Sequence, residues 1–317
     1  MFLKPTFPDI DSERQVVIEE IAMYEDEPSD RVHDYLADAI FGDTPLGRRI
    51  LGRSEVISAI PVPDIASYHR ARYSANNIVV AAAGNVDHDE ILAMAEKLAP
   101  GTGSGEETLV PQVPVPAGRL EFAVKDTEQY HVCIGAPGIN RADERRFGLA
   151  VLDSILGGSS SSRLFIEVRE KRGLAYSVGT YSEQFTDTGV VATYVGTRED
   201  NVEEACEVIG TELKRIQCEP VTAEELDRAK EHVKGRLVLS GESTAARMSR
   251  IARAVLHDLP LLSLDEMLAR VDAVSVEDVS ALASELYAEE RLSAASVGRD
   301  EDRFRKAIQP VSEALAA

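Results

Sequence analysis

Two pairs of side chains have the types and spacing to act together. Glu13 and Glu20 are seven residues apart, two helical turns, so on a helix their carboxylates leave one face about 10 Å apart along the axis. Acids so placed can hold a cation, and the same spacing suits solvated acids on a surface helix. Arg169 and Tyr176 are also seven apart, in VREKRGLAYSV. There a helix carrying Arg169 ends at Gly173, a good C-cap glycine, and a strand starts with Tyr176, which brings a guanidinium and a phenol to one helix-to-strand corner. Such a pair can donate to a peptide carbonyl or an oxyanion. The alternative is Arg169 paired with a nearby Glu and Tyr176 in the strand core.

Other chemistries are thinly supported. No two of the six histidines (His33, His69, His88, His131, His232, His257) fall within four residues of each other, so neither HExxH nor HxxEH occurs. His33 reads as a surface or core histidine. LGGSSSSRLF (Leu156 to Phe165) has the small residues of an anion-binding loop, but it follows a helix and lacks GK[ST]. No GxSxG elbow or Cys/His pairing suggests a nucleophilic hydrolase. Cys133, Cys206 and Cys218 form no CxxC pair and read as reduced core thiols.

The elements that must position these residues follow from periodicity. Val17, Ile21 and Tyr24 recur at helical spacing from Ser12 to about Glu25, with Ser12 and Gln15 in capping-box positions and Pro28 as the stop. Further helices are expected over Asp30–Phe41, Pro63–Tyr73 and His88–Leu98, a loop over GDTPLGRRILGR, and a strand over Asn77–Ala83. Ala99 to Gly118, rich in Gly and Pro, reads as a linker. Beyond it come strands near Leu120–Val124 and Val132–Gly135, helices near Ala142–Leu156 and Arg163–Lys171, strands within Ala175–Gly196, then mostly helix to Leu286.

The chain contains a repeat. Val62 to Gly84 lays without gaps on Val276 to Gly298, an offset of 214 that matches Asp64 to Asp278, Tyr73 to Tyr287 and Gly84 to Gly298. If the second copy begins near Arg119, the first is expected to begin about 95 residues before Met1, so the chain reads as truncated. Phe2, Leu3 and Phe7, large apolar residues with nothing preceding them to pack on, agree with this. The domain expectation is a truncated half over 1–100, a linker over 101–118 and a second half over 119–317.

Charge bounds the partners. With 34 Lys+Arg against 55 Asp+Glu the formal net charge is −21, which repels nucleic-acid phosphates and anionic lipid surfaces. Neither a long apolar run nor a signal-peptide pattern is present, and a cytoplasmic location is the expectation, with a targeting segment left open by the missing start.

SERQVVIEEI, GDTPLGRRILG and GGSSSSRLFIEVREKRGLAYSV together resemble the pitrilysin/insulinase family of zinc metallopeptidases. The resemblance implies an α+β fold of two homologous halves, each an antiparallel-rich sheet covered by helices. It implies zinc as cofactor, Glu20 as third zinc ligand, Glu13 as its supporting acid, and Arg169 and Tyr176 as groups holding the substrate peptide and stabilising the oxyanion. In the family, zinc and the glutamate of HxxEH activate water against the peptide bond of an unfolded or short peptide. Here HxxEH is missing, and counting back from Glu20 puts it about 55 residues before Met1. At the offset of 214 Glu20 meets Lys234, so the second half reads as an inactive copy. The function implied is that of a zinc metalloendopeptidase, with no zinc and no proteolysis expected from this chain alone. A non-catalytic partner subunit, as a homodimer or beside an HxxEH-bearing chain, and a plain peptide-binding module are the alternatives.

Overall fold

A computed structural model of the protein describes residues 6–98 and 118–316. In chain order the first helices are α1 (Ile10–Asp26), α2 (Pro28–Phe41), α3 (Ser54–Ala59), α4 (Val62–Arg72) and α5 (His88–Leu98). Strands β1 (Leu120–Val124) and β2 (Gln129–Gly138) precede α6 (Arg146–Leu156), and β3 (Ala175–Gln184) and β4 (Gly189–Arg198) follow it. Next come α7 (Val202–Cys218), α8 (Ala223–Glu242), α9 (Thr244–Leu256), α10 (Leu264–Asp272) and α11 (Val276–Leu286), then β5 (Ser293–Gly298), α12 (Glu301–Ile308) and α13 (Glu313–Ala316). Pro28 both stops α1 and opens α2 at its first position, where a missing N–H costs nothing. The expected linker lies, apart from Gly118, outside the described residues.

Residues group into two compact units interleaved along the chain. One comprises 6–24, 49–98 and 237–264, the other 25–48, 118–236 and 265–316. The second unit is an α+β layer structure. Its five-stranded sheet has the order β1-β5-β2-β4-β3, parallel only between β1 and β5. Every residue of β5, and all of β4 but Tyr194 and Arg198, is buried, so both faces are covered. On one face Val32, Leu36, Ile40 and Phe41 of α2 pack on Cys133, Val190, Ala192, Ala295 and Val297. Residues of opposite pleat serve the other face, where Phe122 stacks on Phe304 of α12 with ring centroids 5.7 Å apart.

Residues flanking β1 hold the C-terminal ends of α1 and α2. Lys125 Nζ donates to the Glu25 carbonyl in the last turn of α1 at 2.7 Å, while Arg119 Nε and Nη2 donate to the Ala39 and Asp38 carbonyls of α2 at 2.8 and 2.6 Å. A cation at these C-terminal carbonyls satisfies acceptors that the helix itself cannot. At Gly135 a Cβ would stand 2.7 Å from the Val191 carbonyl oxygen and 3.1 Å from Leu36 Cδ2, so this glycine lets α2 approach the sheet.

In the first unit the Arg14 guanidinium donates to the carbonyls of Ile57 and Ile60 and so caps α3. Phe7, expected to lack a packing partner, is half-buried with its ring edge-on to His69. The strand expected over Asn77–Ala83 is not formed. Asn77 closes a 3-10 turn, Ile78 is extended, and 78–83 take no regular structure; no β partner reaches them among the described residues, and Val80 is 56% exposed. A shift of 214 carries α4 onto α11, the 3-10 turn Ala75–Asn77 onto Glu289–Arg291, and 79–84 onto β5. There the partners are β1 and β2, whereas among the described residues 79–84 has no strand beside it. Strand formation needs hydrogen bonds from neighbours, which local sequence does not supply. The correspondence extends further than the matched residues, since α1 shifts into α8, α2 onto α9 and α5 onto α12, with ends that differ by one to four residues. Helix α2 belongs to the second unit, and its counterpart α9 lies in the first.

Candidate functional site

The Arg169–Tyr176 corner is built from irregular backbone. The helix from Arg163 widens at Phe165–Glu170 into a π-turn, with the Lys171 N–H reaching the Ile166 carbonyl at 2.9 Å. The helix closes when the Gly173 N–H bonds the Arg169 carbonyl (3.1 Å) and the Leu174 N–H bonds that of Val168 (2.9 Å), with Gly173 at φ +62°. This left-handed cap suits glycine. Strand β3 then opens with a bulge, because Ala175 pairs with Thr197 and Ser177 with Gly196, leaving Tyr176 outside the ladder. A π-turn and a bulge both re-aim side chains and recur at functional sites.

The result is a half-buried Arg169 whose guanidinium carbon lies 4.2 Å from the centre of the Tyr176 ring and 4.8 Å from that of Phe165. Its charge is met by aromatic faces. Among the described residues no carboxylate lies within ion-pair distance of it: the nearby Glu167 is engaged by Lys171 Nζ at 2.6 Å and Arg172 Nη1 at 2.5 Å. Tyr176 is 79% exposed rather than strand core. Thus a cation and a phenol donor stand side by side, available to a ligand.

Glu13 and Glu20 both lie on α1, both exposed. Among the described residues no three His, Cys, Asp or Glu side chains come close enough to hold a metal ion, so those present do not by themselves form a zinc site. At Lys234, the counterpart of Glu20, the ammonium is held by Glu231 at 2.7 Å and Asp272 at 2.8 Å. The GGSSSS segment serves structure: Ser159 Oγ donates to the Ser154 carbonyl, and Arg163 makes a two-pronged pair with Glu225 at 2.8 and 3.2 Å. Of the three thiols, Cys133 and Cys206 are buried and burial pushes both up, Cys206 to about 12. Cys218 is exposed, contrary to its reading as core: it closes α7, past the helix's buried stripe.

One polar cluster had no local sequence signal. Under α2, His33 Nδ1 lies 2.8 Å from Tyr181 Oη and 3.5 Å from Cys133 Sγ, and His131 Nδ1 lies 2.9 Å from Tyr194 Oη. The Tyr194 ring neighbours both imidazoles, at 5.4 and 6.1 Å between centroids. Burial lowers both histidines, and pushes Tyr194 up to about 12.

In the first unit, Tyr68, Arg72, Asn77 and Val79 face Val255 and Leu256 of α9 across an open cleft of about 620 Å³. Residues 78–83, with no strand partner among the described residues, lie beside it.

The family description "Peptidase M16 inactive domain" matches residues 59–233. The chain belongs to the peptidase M16 family. This family accounts for the pitrilysin/insulinase resemblance and for the α+β fold. A Streptomyces coelicolor protein named an uncharacterized zinc protease is 41% identical over 286 residues, 88% of this chain and 62% of its own length. A Bacillus subtilis protein named the uncharacterized zinc protease YmxG is 36% identical over 292 residues, covering 92% of this chain and 71% of itself. A Pseudomonas fluorescens peptidase M16 inactive domain superposes with a TM-score of 0.86 at 23% identity, over 94% of this chain and 72% of that one, and speaks to the fold alone. The M16 chain thus spans under two thirds of its Streptomyces relative. Among the described residues no helix is long and apolar enough to cross a membrane.

Proposed function

We propose that this M16 chain is the peptide-holding part of a metalloendopeptidase whose HxxEH lies outside these 317 residues, on the same or another polypeptide. The observation that carries the reading is the Arg169–Tyr176 corner, a guanidinium with no carboxylate partner beside an exposed phenol. Its N–H and O–H groups can donate to the carbonyl of a bound peptide and, as the carbonyl becomes an oxyanion, hold the developing charge more strongly than the ground state. β3 is the last strand of its sheet, with no strand on its outer side among the described residues, and begins at this corner. An extended, unfolded peptide would pair along that edge with a carbonyl under Arg169. The net charge of −21 favours basic peptides at the encounter.

Glu20 would contribute one carboxylate to the zinc named for the relatives, with Glu13 behind it; no step is assigned to that metal. The unpaired segment 78–83 and its cleft would receive strands of the HxxEH-bearing polypeptide in the arrangement that β1 and β2 give β5. Fluorescence anisotropy with a labelled, unstructured basic peptide tests the holding role. Saturable binding weakened by Arg169→Ala supports it, and binding indifferent to Arg169 sinks it.

A further inference from the structure

We infer that Thr197 and Asn201 are positioning residues for the Arg169–Tyr176 corner, acting through the Leu174 carbonyl; the link to peptide binding rests on the function proposed above. Leu174 joins the left-handed Gly173 to the bulged strand, is buried, and precedes the first paired residue of β3. Its carbonyl therefore lies beyond the regular ladder, where a buried acceptor needs donors. Two side chains supply them: Thr197 Oγ1 donates at 2.7 Å and Asn201 Nδ2 at 3.1 Å. Both stand on the β4-to-α7 junction, two residues either side of Glu199. One rigid connection thus grips the backbone two residues before Tyr176.

Asn201 is the more informative of the two. It occupies the N-cap position of α7, where an Asn side chain ordinarily accepts from the first turn, yet it makes no capping bond there. Its amide is turned to Leu174 instead. Thr197 is 1% exposed, and its hydroxyl has no role in the β2–β4–β3 ladder beyond this bond. The backbone bonds of Gly173 and Leu174 fix their N–H groups only; without both side-chain donors the Leu174 carbonyl loses its hold, the peptide leading into β3 tilts, and Tyr176, held by no ladder bond of its own, would shift from the guanidinium.

The test separates aim from general stability. Asn201→Asp keeps the size and the capacity to cap α7 but loses the donor; Thr197→Val loses the hydroxyl at constant shape; Thr197→Ser keeps it. The full chain is labelled with 3-fluorotyrosine, and the Tyr176 resonance among those of the nine tyrosines is identified with Tyr176→Phe. In N201D and T197V that resonance is expected to move towards free fluorotyrosine while the others stay, and T197S to match the parent. Binding of the labelled basic peptide should weaken roughly fivefold in N201D, the worth of one lost hydrogen bond, with the thermal midpoint kept. A Tyr176 resonance unmoved in both N201D and T197V overturns the inference, as does a shift of all tyrosine resonances together with a lowered midpoint. If the parent chain binds no peptide, the proposed function fails, and the Tyr176 resonance still decides the positioning role.

Discussion

Arg169 and Tyr176 meet at the bulged start of β3, with the guanidinium carbon over the Tyr176 ring, 4.2 Å from its centre. The contact depends on the planar, weakly hydrated guanidinium, which stacks on aromatic rings as an ammonium does not. Arg169→Lys keeps the charge and loses the stack. We expect it to weaken peptide binding about tenfold, and to change stability by no more than about 0.5 kcal/mol, since the pair lies at the surface. Anisotropy titration and urea unfolding of the same preparations check the two halves of this expectation.

Gly173 is held at φ +62° with nothing within 4 Å of where a Cβ would stand. Its requirement is conformational and not one of space. Gly173→Ala should cost about 1 kcal/mol in urea unfolding, and Gly173→Asn less, because Asn tolerates the left-handed region. Equal costs for Ala and Asn would mean the turn is not what demands glycine.

Gly135 poses the opposite problem. Its Cβ would meet the Val191 carbonyl at 2.7 Å and Leu36 at 3.1 Å, so Gly135→Ala pushes α2 from the sheet. A loss of about 1–3 kcal/mol is expected from overpacking, measured as a lowered urea midpoint at unchanged slope.

The histidines under α2 set a pH dependence. Burial lowers His33, against the pull of Asp30 and Asp34; burial also lowers His131, with Glu27 opposing and His33 assisting. The folded state thus resists protons that the unfolded chain accepts, so stability is full above about pH 6.5 and falls as pH drops through the ordinary imidazole range. Urea midpoints at pH 7.5 and 5.5 should differ more in the parent than in a His33→Gln, His131→Gln double variant. This comparison cancels the relief of acidic self-repulsion that both proteins share. Identical pH dependence in the two proteins would refute the assignment.

Much of this was legible in the sequence. The stripe Val17, Ile21, Tyr24 and the stop at Pro28 placed α1, and Gly173 placed the corner, because caps and helical periodicity are local signals. The repeat at 214 located α4 and α11 together. What escaped depends on distant partners. Residues 78–83 have strand composition but, among the described residues, no strand to pair with. The His33, His131, Cys133, Tyr181 and Tyr194 cluster forms only when α2 docks on β2, β3 and β4. The bulge at Tyr176 arises from its register against β4, which no spacing within VREKRGLAYSV encodes.

Hydrolysis in the presence of an HxxEH-bearing part tests the proposed roles of Glu20 and Arg169 most directly. The chain is co-expressed with an HxxEH-bearing M16 polypeptide, purified as a complex, and assayed on an internally quenched unstructured peptide. Glu20 is exposed on α1, so Glu20→Gln should leave folding within about 0.5 kcal/mol of the parent. We expect hydrolysis by the complex, its loss in Glu20→Gln, and a fall of at least about a hundredfold in Arg169→Ala, the scale of a lost oxyanion donor. Hydrolysis at the parental rate in both variants would contradict the account.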